Sequence, residues 1–229
     1  MRITSTILSV AVLLGVGLRA ASATDLVVNG DFSAGNTGFT TAYLLTTMTP
    51  DLFQNGVHGI YAVIPIGTVN GQAAYGDWNN VTTDPSGGNG NVLVADGATT
   101  PNTIVWQETV NVTPNTNYVF SYYAAEISNA CCSNGVFVPT INGSSGSGQT
   151  LGGSWQQYTF TWNSGLNTTA TLSLTDTNTS DGFNDFVLTD ISFGSEVPEP
   201  STWAMLLPGL AGISFAGYRR TRRSTATAA

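Results

Sequence analysis

The chain has 229 residues, 14 acidic and 6 basic side chains, and a formal net charge of −8. All six basic residues are arginines near the two ends (Arg2, Arg19, Arg219, Arg220, Arg222, Arg223), so Thr24 to Glu196 holds 13 of the 14 acidic residues, no Lys or Arg, and one histidine, His58. Nucleic acid and anionic lipid are excluded as partners of that stretch, because both are bound through cationic contacts to phosphate.

At the N-terminus Arg2 precedes the apolar run Ile7 to Leu18, and Ala21-Ser22-Ala23 offers small-x-small residues to signal peptidase. Residues 1–23 are therefore expected to be a signal peptide, with Thr24 as the new N-terminus and the chain exported. Residues 24–196 are long enough for one domain with its own core. An acidic exported surface either attracts cations, calcium above all, or serves only to keep the protein soluble.

Within this domain short alternating runs are separated by turns. "AAYGDWNN" is punctuated by glycine and places Tyr75, Asp77, Trp78 and Asn79 in one loop. An aromatic ring beside carboxylate and amide groups suits a pyranose, whose C–H face stacks on the ring while its hydroxyls take hydrogen bonds. The alternative is a loop tryptophan tucked into the edge of the fold. Pro85 to Asn91 and Asn142 to Gly153 are Gly-rich and are read as loops.

Tyr118, Phe120 and Tyr122 alternate with Val119, Ser121 and Tyr123. Tyr158, Phe160 and Trp162 alternate with Thr159, Thr161 and Asn163. "ATLSLT" spans Ala170 to Thr175, and Phe186, Leu188 and Asp190 oppose Val187, Thr189 and Ile191. Trp155 and Trp162 are assigned to the core. No segment of the domain keeps a helical period over three turns, so the fold class is all-β, a sandwich of two antiparallel sheets.

Cys131 and Cys132 are adjacent and are the only cysteines. They either form a vicinal disulfide or bridge to other chains, and they cannot staple the fold. "DTNTSDGFND", Asp176 to Asp185, has alternating oxygens like a calcium loop, but its sixth position is Asp181 instead of glycine and its twelfth is Val187 instead of glutamate. It is read as a polar hairpin loop. Glu108 and Glu126 are a candidate glycosidase pair, but no nucleophile motif appears, so no catalytic function is expected.

At the C-terminus sixteen uncharged residues, 203–218, precede Arg219, Arg220, Arg222 and Arg223. A helix there spans roughly 24 Å and crosses an inner membrane with help from Trp203, Tyr218 and the arginines at its ends. A buried core helix with a basic tail is the alternative. Pro198-Glu199-Pro200 keeps the preceding segment extended. Triplet, apolar run and arginines together, residues 197–224, resemble a PEP-CTERM sorting signal. The resemblance implies recognition by an exosortase, removal of the tag after transient anchoring in the inner membrane, and release to the cell surface or extracellular space.

"LVVNGDFSAG", "SWQQYTFTW" and "NDFVLTDISF" resemble the opening, penultimate-region and closing strands of carbohydrate-binding-module-like, galactose-binding-like jelly rolls. The resemblance implies that no cofactor is required beyond a structural calcium, with Asp31 and Asp190 as ligands where the first strand meets the last. Against that pattern, Ser33 replaces a frequent glutamate and Thr189 an acid. Extracellular polysaccharide is the partner it implies, and a structural component of a biofilm matrix the role.

Overall fold

Period-two alternation of apolar and polar side chains sets the strands of the computed structural model, which describes residues 23–46, 57–71, 81–127, 134–180 and 184–196. In chain order these are β1 (Leu44–Leu45), β2 (Ile60–Pro65), β3 (Asn91–Asp96), β4 (Thr103–Asn111), β5 (Asn117–Glu126) and β6 (Val136–Ile141). Then follow β7 (Ser144–Ser145), β8 (Gln149–Thr150), β9 (Gln156–Asn163), β10 (Thr169–Asp176) and β11 (Phe186–Ser195). One sheet has the order β1-β2-β3-β11-β5-β9, the other β4-β10-β6-β7 with β8 also on β6. The fold is an all-β, two-sheet sandwich.

The pairs are antiparallel except β1 with β2, which run parallel. A parallel pair needs a connection that returns to the same end, and a stretch of fourteen residues separates Leu45 from Ile60. The core lies between the sheets, where large rings bridge them: Trp106 stacks on Phe120 with centroids 6.0 Å apart, and Phe137 meets Phe186 edge-on at 4.7 Å. Tyr118, Phe120 and Tyr122 are buried as their alternation requires, and Trp162 is 9% exposed.

Four readings of the sequence change here. Leu26 to Gly35, expected to be the opening strand, forms turns and no strand, because Asn29 folds the chain back on itself. The Gly-rich Asn142 to Gly153 stretch contains two short strands, β7 and β8. Asp176 to Asp185 is not a hairpin loop, because β10 belongs to one sheet and β11 to the other. Trp155 lies outside the main core, packed against a second apolar cluster that includes Ile60, Val92, Val94 and Val187. That cluster is the outer face of the six-stranded sheet, so the central strands β2, β3 and β11 are apolar on both sides. The signal-peptide residues 1–22 and the proposed span 203–218 lie outside the described residues, and no helix among the described residues is long and apolar enough to cross a membrane.

The opening segment is fastened to β11. Leu26 N–H donates to the Phe193 carbonyl at 2.8 Å and Ile191 N–H to the Gly30 carbonyl at 3.0 Å. A Cβ on Gly30 would overlap the backbone oxygen of Ile191, so only glycine permits this approach. Gly30→Ala is expected to lower stability by about 1 to 3 kcal/mol through forced backbone displacement. Trp106→Ala should cost about 3 to 5 kcal/mol through a core cavity. Chemical denaturation of both variants against the parent checks this, and a neutral Gly30→Ala result would refute the close contact.

Candidate functional site

The "NGDF" turn is built by Asn29. Its amide donates to the carbonyls of Gly35 and Thr37 at 2.9 and 2.8 Å, and its oxygen accepts from Ala34 N–H at 2.7 Å. Asn29 and Phe32 take left-handed φ values of 62° and 54°, which swings Phe32 fully into the core. Asp31 is left outside, where its Oδ1 accepts from Ser33 N–H and Oγ–H at 3.0 and 2.8 Å. On β11 the pairing with β5 slips between Thr189 and Ser192, and Asp190 has φ 49°. The expected alternation therefore fails at this bulge: Asp190 is turned out and Ile191 into the core.

Asp31 and Asp190 consequently line one open depression of about 320 Å³ together with Asp25 and Asn29. Burial raises the Asp190 carboxyl above the usual carboxylate range, and the charges of Asp84 and Asp31 push it the same way. Asp84 is held below its usual range, first by the Ser86 hydroxyl and then by the N–H groups of Gly88, Gly90 and Ser86 around it. Asp25 Oδ1 accepts from Val27 and Phe193 N–H at 3.0 and 2.9 Å. Among the described residues no group of three acidic, imidazole or thiolate side chains could hold a metal ion.

A second polar constellation occupies the end of the sandwich where β3, β5 and β10 finish. Each of these strands ends in an acid, Asp96, Glu126 and Asp176, and all three are buried. His58 Nδ1 lies 2.8 Å from Asp96 Oδ1, yet burial outweighs the histidine and raises the Asp96 carboxyl. Glu126 Oε2 accepts from Gly135 N–H at 2.8 Å. Asp176 Oδ1 accepts from the N–H groups of Val136 and Asn178 at 3.2 and 3.0 Å. Burial nevertheless pushes Asp176 up to about 6. Beside it, the Tyr43 hydroxyl accepts from Ala98 N–H at 3.1 Å, and burial with the charges of Asp176, Asp96 and Asp185 raises its pKa well above the tyrosine range. The sequence signal here was Asp176 to Asp185, with its calcium-loop-like alternation of oxygens; in addition each of the three strands ends in an acid, in "NVLVAD", "YYAAE" and "ATLSLTD".

Glu108 and Glu126 are not a catalytic pair in space. Glu108 accepts from Val28 N–H at 3.1 and 3.2 Å, and it lies five residues into β4, about 17 Å along the strand from the end that Glu126 shares. Tyr75, Asp77, Trp78 and Asn79, Cys131 and Cys132, and the sorting residues Pro198, Glu199, Pro200, Arg219, Arg220, Arg222 and Arg223 lie outside the described residues. The loop after Trp78 is held by Trp155, whose ring N–H donates to the Thr83 carbonyl at 2.6 Å. The outer face of the five-stranded sheet presents Gln107, Thr109, Thr140 and Thr171, with a hydrogen bond of 2.9 Å between the Thr109 and Thr171 hydroxyls.

The C-terminal segment is decided by its match to a family model. Residues 196–223 carry the PEP-CTERM protein-sorting motif. The motif implies processing by an exosortase, export and sorting to the cell surface. No curated protein sequence matches the chain. The sandwich is similar in structure to a cyclase from Fischerella sp. TAU in complex with 4-(1H-indol-3-yl)butan-2-one, with 10% identity, a TM-score of 0.52, and coverage of 77% of this chain and 100% of that one. It is also similar to the CBM22 tandem of Xyn10C from Paenibacillus barcinonensis, at 16% identity and a TM-score of 0.46, covering 79% of this chain and 48% of that one. A CBM4 domain gives 13% identity, a TM-score of 0.39, and coverage of 74% and 99%. These likenesses concern the fold.

The raised carboxyls make stability depend on pH. Where a folded pKa lies above its unfolded value, the native state binds the extra proton between the two, so stability falls as pH rises through that interval. For Asp176, with Asp96, Asp185 and Tyr43 as its charged or titratable neighbours, the interval runs from about 4 to about 6 and is worth on the order of 3 kcal/mol. In chelator-treated buffer the thermal midpoint is expected to rise as pH is lowered from 7 to about 4.5, and Asp176→Asn to raise the midpoint at pH 7 and flatten the profile. Calorimetry across this range checks it; a midpoint that falls on acidification contradicts the assignment.

Proposed function

We propose that this PEP-CTERM protein is an exported jelly-roll cargo that works outside the cell by binding glycan or as a structural component of an exopolysaccharide matrix, and not by catalysis. The observation that carries this reading is the sorting motif joined to a domain without a single lysine or arginine. Such a surface offers carboxylates, amides and hydroxyls, groups that match sugar hydroxyls and cations and repel polyanions. The row of hydroxyl and amide side chains on the five-stranded sheet supports the same reading. The non-catalytic part is supported by Glu108 and Glu126, each tied to a backbone N–H and set well apart. A glycan hydrolase is the competing reading, and release of new reducing ends from soluble polysaccharide would establish it.

For sorting, the proposal is a cut by the exosortase near Pro198 to Ser201, after signal peptidase has removed residues 1–23. Protein recovered from producing cells and medium should then lack Arg219 to Arg223 by intact-mass analysis. Full-length chain with its arginine tail, recovered from cells that contain an exosortase, would show that the segment is not processed.

For recognition, the glycan contact is assigned to the Tyr75, Asp77, Trp78 and Asn79 loop. A stacking ring at a binding hot spot contributes ~2 kcal/mol or more, so Trp78→Ala should weaken retention on the producing cell's own exopolysaccharide about thirtyfold and leave the thermal midpoint nearly unchanged. A variant that unfolds, from a parent that binds no polysaccharide, assigns Trp78 to structure and the protein to a matrix or spacer role.

A further inference from the structure

The end of the sandwich closed by Asp176 contains an arrangement that hydrogen bonding alone does not explain. Asn184 is 1% exposed, and its side-chain oxygen is buried without any hydrogen-bond partner. Its nitrogen faces three oxygens at once: Asn178 O at 3.2 Å, Ala98 O at 3.4 Å and Asp176 Oδ2 at 3.4 Å. An amide nitrogen has two hydrogens, and good N–H···O contacts cluster near 2.9 to 3.0 Å. Three acceptors therefore surround one donor at long range, while the acceptor end of the same amide is wasted.

We propose that Asp176 Oδ2, the carbonyl oxygens of Ala98 and Asn178, and the side-chain oxygen of Asn184 form a calcium site, completed when the Asn184 amide turns over to put its oxygen where its nitrogen stands. The two ends of an amide have nearly the same shape, so the turn needs no repacking. Calcium sits about 2.4 Å from each ligand oxygen, which spaces neighbouring ligands about 3.4 Å apart in an octahedral arrangement. The 3.2 to 3.4 Å separations match that spacing. Magnesium, at about 2.0 to 2.1 Å, needs ligands about 2.9 Å apart and fits poorly.

Charge points the same way. Asp176 is buried, and the domain has no lysine or arginine to neutralise it. Gly97 is fitted to the same role. A Cβ there would overlap the Asn184 amide, so glycine leaves the slot in which the amide lies. With one carboxylate among its four protein oxygens, the site belongs to the weak class of extracellular modules, with a dissociation constant of about 10⁻⁴ to 10⁻³ M. It is separate from the depression of Asp31 and Asp190 at the opening turn.

The test is thermal unfolding of the full chain, freed of metal by chelator and titrated with calcium chloride. The midpoint should rise with half-effect in the range above, and magnesium or potassium chloride at matched ionic strength should give little of the rise. Asn184→Asp supplies a second carboxylate and should lower the midpoint without calcium while reducing the calcium needed for half-effect at least tenfold. If that variant is unfolded without calcium, recovery on adding calcium supports the site equally, and failure to recover overturns it. Asp176→Asn should weaken the calcium response at least tenfold without lowering the calcium-free midpoint. The proposal is overturned if the parent does not respond to calcium, if magnesium or potassium acts as strongly, if Asp176→Asn keeps the parental response, or if only the Asp31→Asn, Asp190→Asn double variant loses it.

Discussion

A domain that buries carboxylates and owns no lysine or arginine has few ways to stabilise them, and the polar architecture of this protein follows from that shortage. Asp84 is wrapped by its own Gly-rich loop, so that four donors from Ser86, Gly88 and Gly90 converge on it. Asp25 and Glu108 fasten the opening segment by accepting backbone N–H groups. Glu126 holds Gly135, and Asp96 takes the domain's one imidazole. Elsewhere such tasks fall to salt bridges; here the backbone does the work, and the acids act as joints between segments.

The same shortage divides the surface into different chemistries. The opening turn and the β11 bulge bring Asp31 and Asp190 into an open depression, where the charges of Asp84 and Asp31 add to partial burial in raising the Asp190 carboxyl. At the other polar site, Asp176 and Asn184 are sealed between the two sheets, where desolvation dominates. Between these extremes the hydroxyl and amide row on the five-stranded sheet is neutral. An exported protein sorted to the cell surface thus presents anionic and neutral hydrogen-bonding groups and almost nothing cationic.

Much of the fold was legible because one-sided burial leaves a period of two in the sequence. By that period Tyr118, Phe120 and Tyr122 share one face and are buried, and Trp162, assigned to the core, is buried with Tyr158 while Phe160 between them is partly buried. The pattern fails wherever burial is two-sided. "IYAVIP" and "NVLVAD" read as uniform apolar runs because their outer faces join a second cluster, the one against which Trp155 packs. The bulge at Asp190 was hidden for another reason: one left-handed residue reverses the facing of everything after it without changing the composition. The candidate sites were less legible still. Asp31 and Asp190 came from a resemblance, whereas Asp176 and Asn184 are eight residues apart on a connection that looked like a local turn and in fact passes between sheets.

The position of β11 has a mechanical consequence. It is the last strand before the sorting segment, and it lies inside its sheet. Its first half is bonded to β3 and β5, and its second half to β5 and the opening segment, with Glu196 N–H still donating to Asn117 O at 2.9 Å. Tension drawn along the chain from its C-terminal side therefore enters the sheet along a strand bonded on both flanks. The hydrogen bonds on either side share such a load in shear, whereas an edge strand in the same role would unzip one rung at a time.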